Sequence, residues 1–172
     1  MEESQVVLTL GTYHSHSDCV SLSFRDYMRF VDLQKRGEVS EEKMKKFDPE
    51  TILKFLLLED PCFKQLQETI TTNWTLSTEQ LLDTSPELTA ALLKLNPVFR
   101  GLLETQLLSY LNRTDVDIFA LEKVSHFLCG ITQNCDSDIL QSFMEKIENN
   151  INIVFVKEEL SNFMTVKMNL MN

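Results

Sequence analysis

The chain has 172 residues, of which 43% are hydrophobic and 24% are charged, and its formal net charge is −10. This composition suffices for a hydrophobic core and excludes a chain that is disordered throughout. The negative charge repels phosphate backbones, and no dense run of Lys and Arg offsets it, so direct nucleic-acid binding is not predicted. No apolar run approaches the roughly 20 residues of a membrane span, so no contact with a membrane is predicted.

Cysteine usage and the N-terminal residues point to a reducing compartment. The four cysteines contain no CxxC pair and no regular spacing, and a domain of this size needs no disulfides. The chain begins MEESQVV, with acidic residues and no basic segment before a short apolar run, so no secretory signal is predicted. We therefore expect the cytoplasm, with the nucleus as a second location.

Residues 1–23 form an N-terminal extension that is either irregular or a short strand. Val6, Leu8 and Leu10 alternate with their neighbours, as in a strand, and the Ser- and His-rich residues after them are typical of a loop. Gly and Pro number only four each in the whole chain, which favours helices with short connections. We expect residues 24–172 to form a single α-helical domain.

The first predicted helix runs from Phe24 to Arg36 and ends at Gly37, since glycine favours the left-handed position that follows a helix. Its predicted apolar face consists of Phe24, Tyr27, Met28 and Val31. A short charged helical turn should follow at Ser40, because serine is a good N-cap residue.

All four prolines stand directly after an Asp, Ser or Asn. Such a pair is typical of a helix start, because the polar side chain accepts a bond from a free N–H group of the first turn. The missing donor of proline costs nothing at the first helical position. The predicted starts are Asp48-Pro49, Asp60-Pro61, Ser85-Pro86 and Asn96-Pro97.

The apolar residues that follow these helix starts in the sequence predict the core. Residues 52–58 are apolar nearly all round, so their helix should be central and buried. Two helices within residues 76–112 have almost no loop between them and should pack on each other or on common neighbours. A helix capped by Thr114 or Asp115 should bury Ile118, Leu121, Val124, Leu128 and Ile131, and Asp136 or Ser137 should cap the next. The predicted fold is all-α: a compact bundle or short helical-repeat-like array of about seven to nine helices.

Residue types that carry chemistry are sparse. His14, His16, Asp18 and Cys19 form a cluster with metal-ligand types, but a polar loop is the favoured interpretation because His126 is far along the chain. The sequence has no Gly-rich phosphate loop, no GxSxG and no HExxH. We therefore predict no catalytic residue, no cofactor, no metal and no small-molecule substrate.

A candidate partner-binding surface flanks the two helices of residues 76–112. Trp74 is either a plug of the core, which is the favoured interpretation, or an exposed interface anchor. The leucines of these helices should be buried, so the surface is sought beside them. Its candidate residues are Trp74, Glu79, Glu87, Arg100 and Glu104.

The order of residues from Ile52 to Leu95 resembles a known family. The matching positions are Leu53 and Leu57, Glu59-Asp60-Pro61, Leu76, Leu81-Leu82, Ser85-Pro86 and Ala90-Ala91-Leu92-Leu93-Lys94-Leu95. This pattern is similar to the C-terminal domain of subunit eleven of the CCR-NOT mRNA-deadenylase complex. The chain has Leu82 where that family has proline, Thr84-Ser85 where it has asparagines, and what looks like an insertion at residues 70–74.

The resemblance implies a non-catalytic scaffold subunit. It would join the tetratricopeptide-type tenth subunit to the N-terminal part of the large scaffold subunit, or recruit regulators. Such a subunit would modulate mRNA deadenylation and decay without carrying the nuclease site. The alternative is an unrelated helical adaptor of a cytoskeletal or signalling assembly. An enzyme or metalloprotein is a third interpretation, against which the missing motifs argue.

Overall fold

A computed structural model describes residues 22–37, 39–134 and 138–171. Over these ranges the chain forms ten α-helices and one 3-10 turn without a strand, which confirms the all-α prediction. The helices are α1 Phe24–Arg36, α2 Glu41–Met44, α3 Pro49–Leu56, α4 Lys64–Thr72, α5 Thr78–Leu82, α6 Pro86–Leu95, α7 Pro97–Leu111, α8 Ile118–Asn134, α9 Asp138–Asn149 and α10 Val154–Met171, and the 3-10 turn is Pro61–Phe63. The predicted strand near Val6, the cluster from His14 to Cys19 and the caps Asp136 or Ser137 lie outside the described residues.

Contacts divide the chain into two compact units, Met1–Ser77 and Thr78–Asn172, which we call unit 1 and unit 2. Helices α1 to α4 belong to unit 1, and α5 to α10 form a helical bundle in unit 2. The expectation that residues 24–172 form a single α-helical domain stays a prediction.

A run of aromatic rings holds unit 1 together. The ring of Phe30 stacks on Phe47 and on Phe55, with centroids 4.5 and 3.9 Å apart. Phe63 forms T-shaped pairs with Phe55 and Tyr27, with ring centroids 5.1 and 5.6 Å apart. Aromatic pairs stabilise a core beyond the area that they bury, so this run joins α1 to α3, to the 3-10 turn and to the segment after α2.

Helix α1 buries a different face from the predicted one. The predicted face included Met28, which is 42% exposed, whereas Phe30 and Leu33 are buried. That part of the prediction was wrong. Apolar residues occur on several sides of α1, and the stacking of Phe30 on Phe55 selects the side that turns inward. Gly37 ends the helix with φ of 63°, as predicted.

Helix α3 and the two residues after it are buried nearly all round, as predicted. The buried side chains are Ile52, Leu53, Phe55, Leu56, Leu57 and Leu58. Helix α4 adds donors to the carbonyl groups at its end, because Gln67 Nε2 donates to the oxygens of Phe55 and Leu58, both at 2.8 Å. The Phe55 oxygen also accepts from the N–H of Leu58 at 3.1 Å. A side chain thus replaces the intrahelical donors that the last turn of a helix lacks.

Every predicted cap-and-proline pair begins a helical segment. Pro49, Pro61, Pro86 and Pro97 stand at the starts of α3, the 3-10 turn, α6 and α7. Asp60 and Asn96 accept the expected bond from a backbone N–H, at 3.1 and 3.0 Å. Asp48 and Ser85 precede their helices without a side-chain capping bond. The shared feature is therefore the proline at the first position.

The cap of α8 differs from both predicted residues. Asp117, and neither Thr114 nor Asp115, begins this helix, since its Oδ1 accepts a bond from Ala120 N at 2.8 Å. The three residues are all polar and close together, so spacing alone did not select among them.

In unit 2, α6 packs on α7, as predicted, and α8 packs on both α6 and α10. The fully buried side chains there include Leu92, Leu103, Leu107, Val124 and Leu128. Gly130 allows α8 to approach the first turn of α6, because a Cβ atom at this position would lie 3.1 Å from Cγ of Pro86. The absence of a side chain therefore sets the distance between these two helices.

Asn112 fixes the end of α7 to the connection between α9 and α10. Its Nδ2 donates to the oxygen of Asn150 at 3.1 Å, and its Oδ1 accepts from the N–H of Asn152 at 2.7 Å. The side-chain amide of Asn112 thus donates one hydrogen bond and accepts another, which orients the start of α10.

Candidate partner-binding surfaces

The five residues of the predicted surface do not belong to one unit. Trp74 lies in unit 1, and the other four lie in unit 2. Trp74 and Glu104 are half-buried, whereas Glu79 and Glu87 are exposed. Whether Trp74 is a plug of the core or an interface anchor stays a prediction. That these residues bind a partner together with Arg100 stays a prediction.

Arg100 has a structural role that the sequence did not show. Its Nε donates to the oxygen of Leu93 at 2.8 Å, and the residue is half-buried. It therefore satisfies a carbonyl group near the end of α6 from the first turns of α7.

Several large apolar side chains of unit 2 are exposed, and one of them was expected in the core. Phe119 is 79% exposed, Leu170 is 81% exposed and Ile118, which was expected in the core, is 51% exposed. The expectation for Ile118 was wrong. Single exposed apolar residues are ordinary, but a group of them marks an interaction surface.

Two contacts show how α8 and α10 lie against each other. Cys129 Sγ lies 3.9 Å from the oxygen of Met164, and Glu122 pairs with Lys167 at 4.0 Å. The two helices therefore run antiparallel. The first turns of α8 lie beside the last turns of α10.

Four of the exposed large apolar residues of unit 2 lie at this end of the helix pair, whereas Leu95, Val98, Val154 and Phe155 are exposed elsewhere in the unit. Phe119 precedes Glu122 by three residues and Leu170 follows Lys167 by three, and residues three apart share a helix face. Both side chains thus lie about one turn beyond the ion pair. We call Ile118, Phe119, Val166 and Leu170 the α8/α10 patch; Val166 is 57% exposed. Lys167 and Glu122 supply a charged border to it.

No family model, curated protein or solved structure matches this chain. Function is therefore inferred from the surfaces themselves.

The thiols of the two described cysteines both have a raised pKa. Burial raises the pKa of the Cys129 thiol, and Lys167 offsets only part of that rise. Cys62 is exposed on the 3-10 turn, but partial burial of its thiol and the neighbouring Asp60 carboxylate raise its pKa. A reactive cysteine needs the opposite shift, toward the thiolate.

Within the described ranges, a metal site would require a group of ligand side chains, and a membrane span would require a long apolar helix. No three His, Cys, Asp or Glu side chains gather there as a group that could hold a metal ion. Across the same residues, no helix is both long and apolar enough to cross a membrane.

Proposed function

We propose that the protein is a non-catalytic interaction subunit that binds another protein through the α8/α10 patch. The observation that carries the proposal is the exposure of Phe119 and Leu170, at 79% and 81%, on one end of a helix pair. Burying such a side chain fully contributes about 1.5–3 kcal/mol before the costs of association are subtracted. An apolar centre with the Glu122–Lys167 pair beside it has the composition of a protein interface.

We further propose that its partners are subunits of the mRNA-deadenylation machinery, in the cytoplasm and also in the nucleus. The support is the CCR-NOT-like order of residues 52–95. Matching leucines such as Leu53, Leu57 and Leu81 are buried, and Asp60 caps a helical turn. These positions specify helix packing, so they support a relation in fold, and the partner has to be identified by binding.

An unrelated helical adaptor of a cytoskeletal or signalling assembly is the second candidate. The α8/α10 patch favours it equally, because exposed apolar side chains support binding without naming the partner. The two candidates predict that different proteins bind to the patch.

The test is affinity purification of the tagged full chain from cell extract, followed by quantitative mass spectrometry. One variant combines Phe119→Ser with Leu170→Ser, and its control combines Phe119→Leu with Leu170→Met, which keeps the patch apolar. We expect deadenylase subunits with the wild type and the control, and at least about a tenfold loss with the serine variant.

Each other result has a definite meaning. A different coherent complex that the serine variant loses would support the unrelated adaptor. Deadenylase subunits retained by the serine variant would refute the role of the patch. Recovery of no specific protein by the wild type would refute an interaction subunit altogether.

A further inference from the structure

A positively charged pocket lies in unit 1 of a chain whose net charge is −10. It is a cavity of about 400 Å³ between α1 and the residues at and after the end of α2. Four cationic side chains line it: Arg29, Arg36, Lys43 and Lys46. Within the described residues, Asp32 is the one acidic side chain in its lining. Asp26 also pairs with Arg29, so four cations face two carboxylates. The local charge is still positive in a chain of negative net charge, which favours an anionic ligand.

Arg29 is held in place at this pocket by three contacts. Its Nη1 pairs with Asp26 at 3.3 Å, and its Nη2 donates to the oxygen of Lys46 at 3.0 Å. Its guanidinium carbon lies 4.1 Å from the centre of the Phe47 ring. A cation that is already fixed loses little conformational freedom when an anion binds beside it.

Arg36 and Lys46 are the cations most accessible to a ligand. Lys46 is exposed, and Arg36 forms an ion pair with Asp32 at 3.1 Å in which the two side chains are 62% and 58% exposed. A pair this exposed contributes little to stability, so a carboxylate of a ligand can share Arg36 with Asp32. Met28, which is 42% exposed, adds an adaptable apolar surface to the same lining.

We propose that this pocket binds an acidic segment of a partner protein. Two neighbouring carboxylates of the segment lie against Arg36 and Lys46, and an adjoining apolar side chain lies on Met28. The inference deepens the proposed function and rests on it, since it names a second contact of an interaction subunit. It uses a different surface in a different unit from the α8/α10 patch, so the two are tested separately.

A nucleic acid fits this pocket less well than an acidic peptide. A phosphate backbone is bound by cations arranged along a track, and each neutralised phosphate adds to the affinity. Here the cations are gathered around one cavity of about 400 Å³, beside Asp32. The exposed thioether of Met28 also matches an apolar side chain better than a sugar-phosphate chain.

The test is fluorescence anisotropy with the purified full chain and a labelled peptide that contains repeated Glu-Leu-Glu units. Its control peptide has Gln in place of Glu. The pocket variant combines Arg36→Glu with Lys46→Glu. The matched control combines Arg25→Glu with Lys64→Glu, which changes the net charge equally at two exposed residues that do not line the pocket. Circular dichroism verifies that each variant is folded, and Arg36→Gln with Lys46→Gln replaces the pocket variant if it is not.

We expect the pocket variant to weaken the binding of the acidic peptide at least about tenfold, and the matched control to weaken it less than about threefold. The Gln peptide should bind at least about tenfold more weakly than the Glu peptide. Met28→Ser should weaken the Glu-Leu-Glu peptide more than a Glu-Ala-Glu peptide. Equal losses in both charge variants would overturn the proposal, as would no binding by the wild type. Tighter binding of a single-stranded oligonucleotide through Arg36 and Lys46 would assign the pocket to nucleic acid instead.

Discussion

Gly101 and Gly130 both lie inside long helices of unit 2, and the structure predicts different responses to alanine. Inside a helix, alanine is more favourable than glycine by about 0.5–1 kcal/mol. A Cβ atom at position 101 meets nothing within 4 Å, so Gly101→Ala should increase the free energy of unfolding by that amount.

At Gly130 the same gain is opposed by a steric contact. A Cβ atom there would lie 3.1 Å from Cγ and 3.2 Å from Cβ of Pro86, closer than the usual carbon contact of about 3.5–4.0 Å. The ring of Pro86 cannot rotate away, because it is part of the first turn of α6. Overpacking of this kind costs about 1–3 kcal/mol. The free energy of unfolding of Gly130→Ala should therefore be lower than that of Gly101→Ala by about 1–3 kcal/mol.

Urea denaturation followed by far-UV circular dichroism measures both variants. The double variant of Gly130→Ala with Pro86→Gly tests the cause. Glycine at position 86 removes both the Cγ and the Cβ atoms that the new Cβ would meet, so the double variant should show a favourable coupling energy. Equal stabilisation by the two single alanine variants, with no coupling to Pro86, would refute the reasoning about the distance between α6 and α8.

Three further predictions concern hydrogen bonds and thiols. Gln67→Ala should lower the free energy of unfolding by about 1–3 kcal/mol, because the Leu58 carbonyl loses its Gln67 donor and the Phe55 carbonyl keeps only the N–H of Leu58. Gln65→Ala, on the exposed side of α4, should change it by less than about 0.5 kcal/mol. Equal effects of the two variants in urea denaturation would contradict this. Asn112→Ala should lower it by about 1–2 kcal/mol, because two bonds between loops are lost, and an unchanged denaturation midpoint would contradict the assignment. Burial raises the pKa of Cys129, so iodoacetamide should modify Cys62 in the native protein and Cys129 only after unfolding. The rate at which iodoacetamide modifies Cys62 should keep rising as the pH passes the ordinary thiol pKa, because partial burial and a neighbouring carboxylate raise the pKa of Cys62. Peptide mapping by mass spectrometry measures both sites. Modification of Cys129 in the native protein would contradict the structure.

Helix starts could be predicted from the sequence because their chemistry is local. A proline directly after Asp48, Asp60, Ser85 or Asn96 has its steric effect within one turn, whatever the rest of the chain does. The burial of α3 was predictable for a related reason. A short helix that is apolar on nearly every side, as at Leu53 and Leu56, has few ways to remain in water.

The buried side of a helix could not be predicted where its apolar residues allowed two choices. On α1 the choice depended on rings that lie far along the chain, since Phe30 stacks on Phe55. On α8, Ile118 continues the spacing of the buried residues but lies at the end of the helix, where it is 51% exposed. Periodicity indicated the apolar face of α8, but how far the neighbouring helices extend decides how much of that face is buried.

Both proposed binding surfaces depend on contacts between residues distant in sequence. The pocket of unit 1 brings Arg29 beside Lys46, and the intervening acidic residues conceal this cluster in a linear count of charges. The α8/α10 patch depends on the packing of the first turns of α8 beside the last turns of α10. The residues proposed from the sequence alone, such as Trp74 and Glu79, were chosen for position along the chain and lie in different units.

The most direct test of the central claim is site-specific photo-crosslinking in cells from position 119, with a photoreactive phenylalanine analogue in place of Phe119. The same analogue at the exposed Glu158 of α10 serves as the control. The proposed function predicts a strong crosslink from position 119 to a subunit of the deadenylation machinery, and little or none from position 158. No crosslinked protein at position 119, or the same products from both positions, would contradict an interaction subunit that binds through the α8/α10 patch.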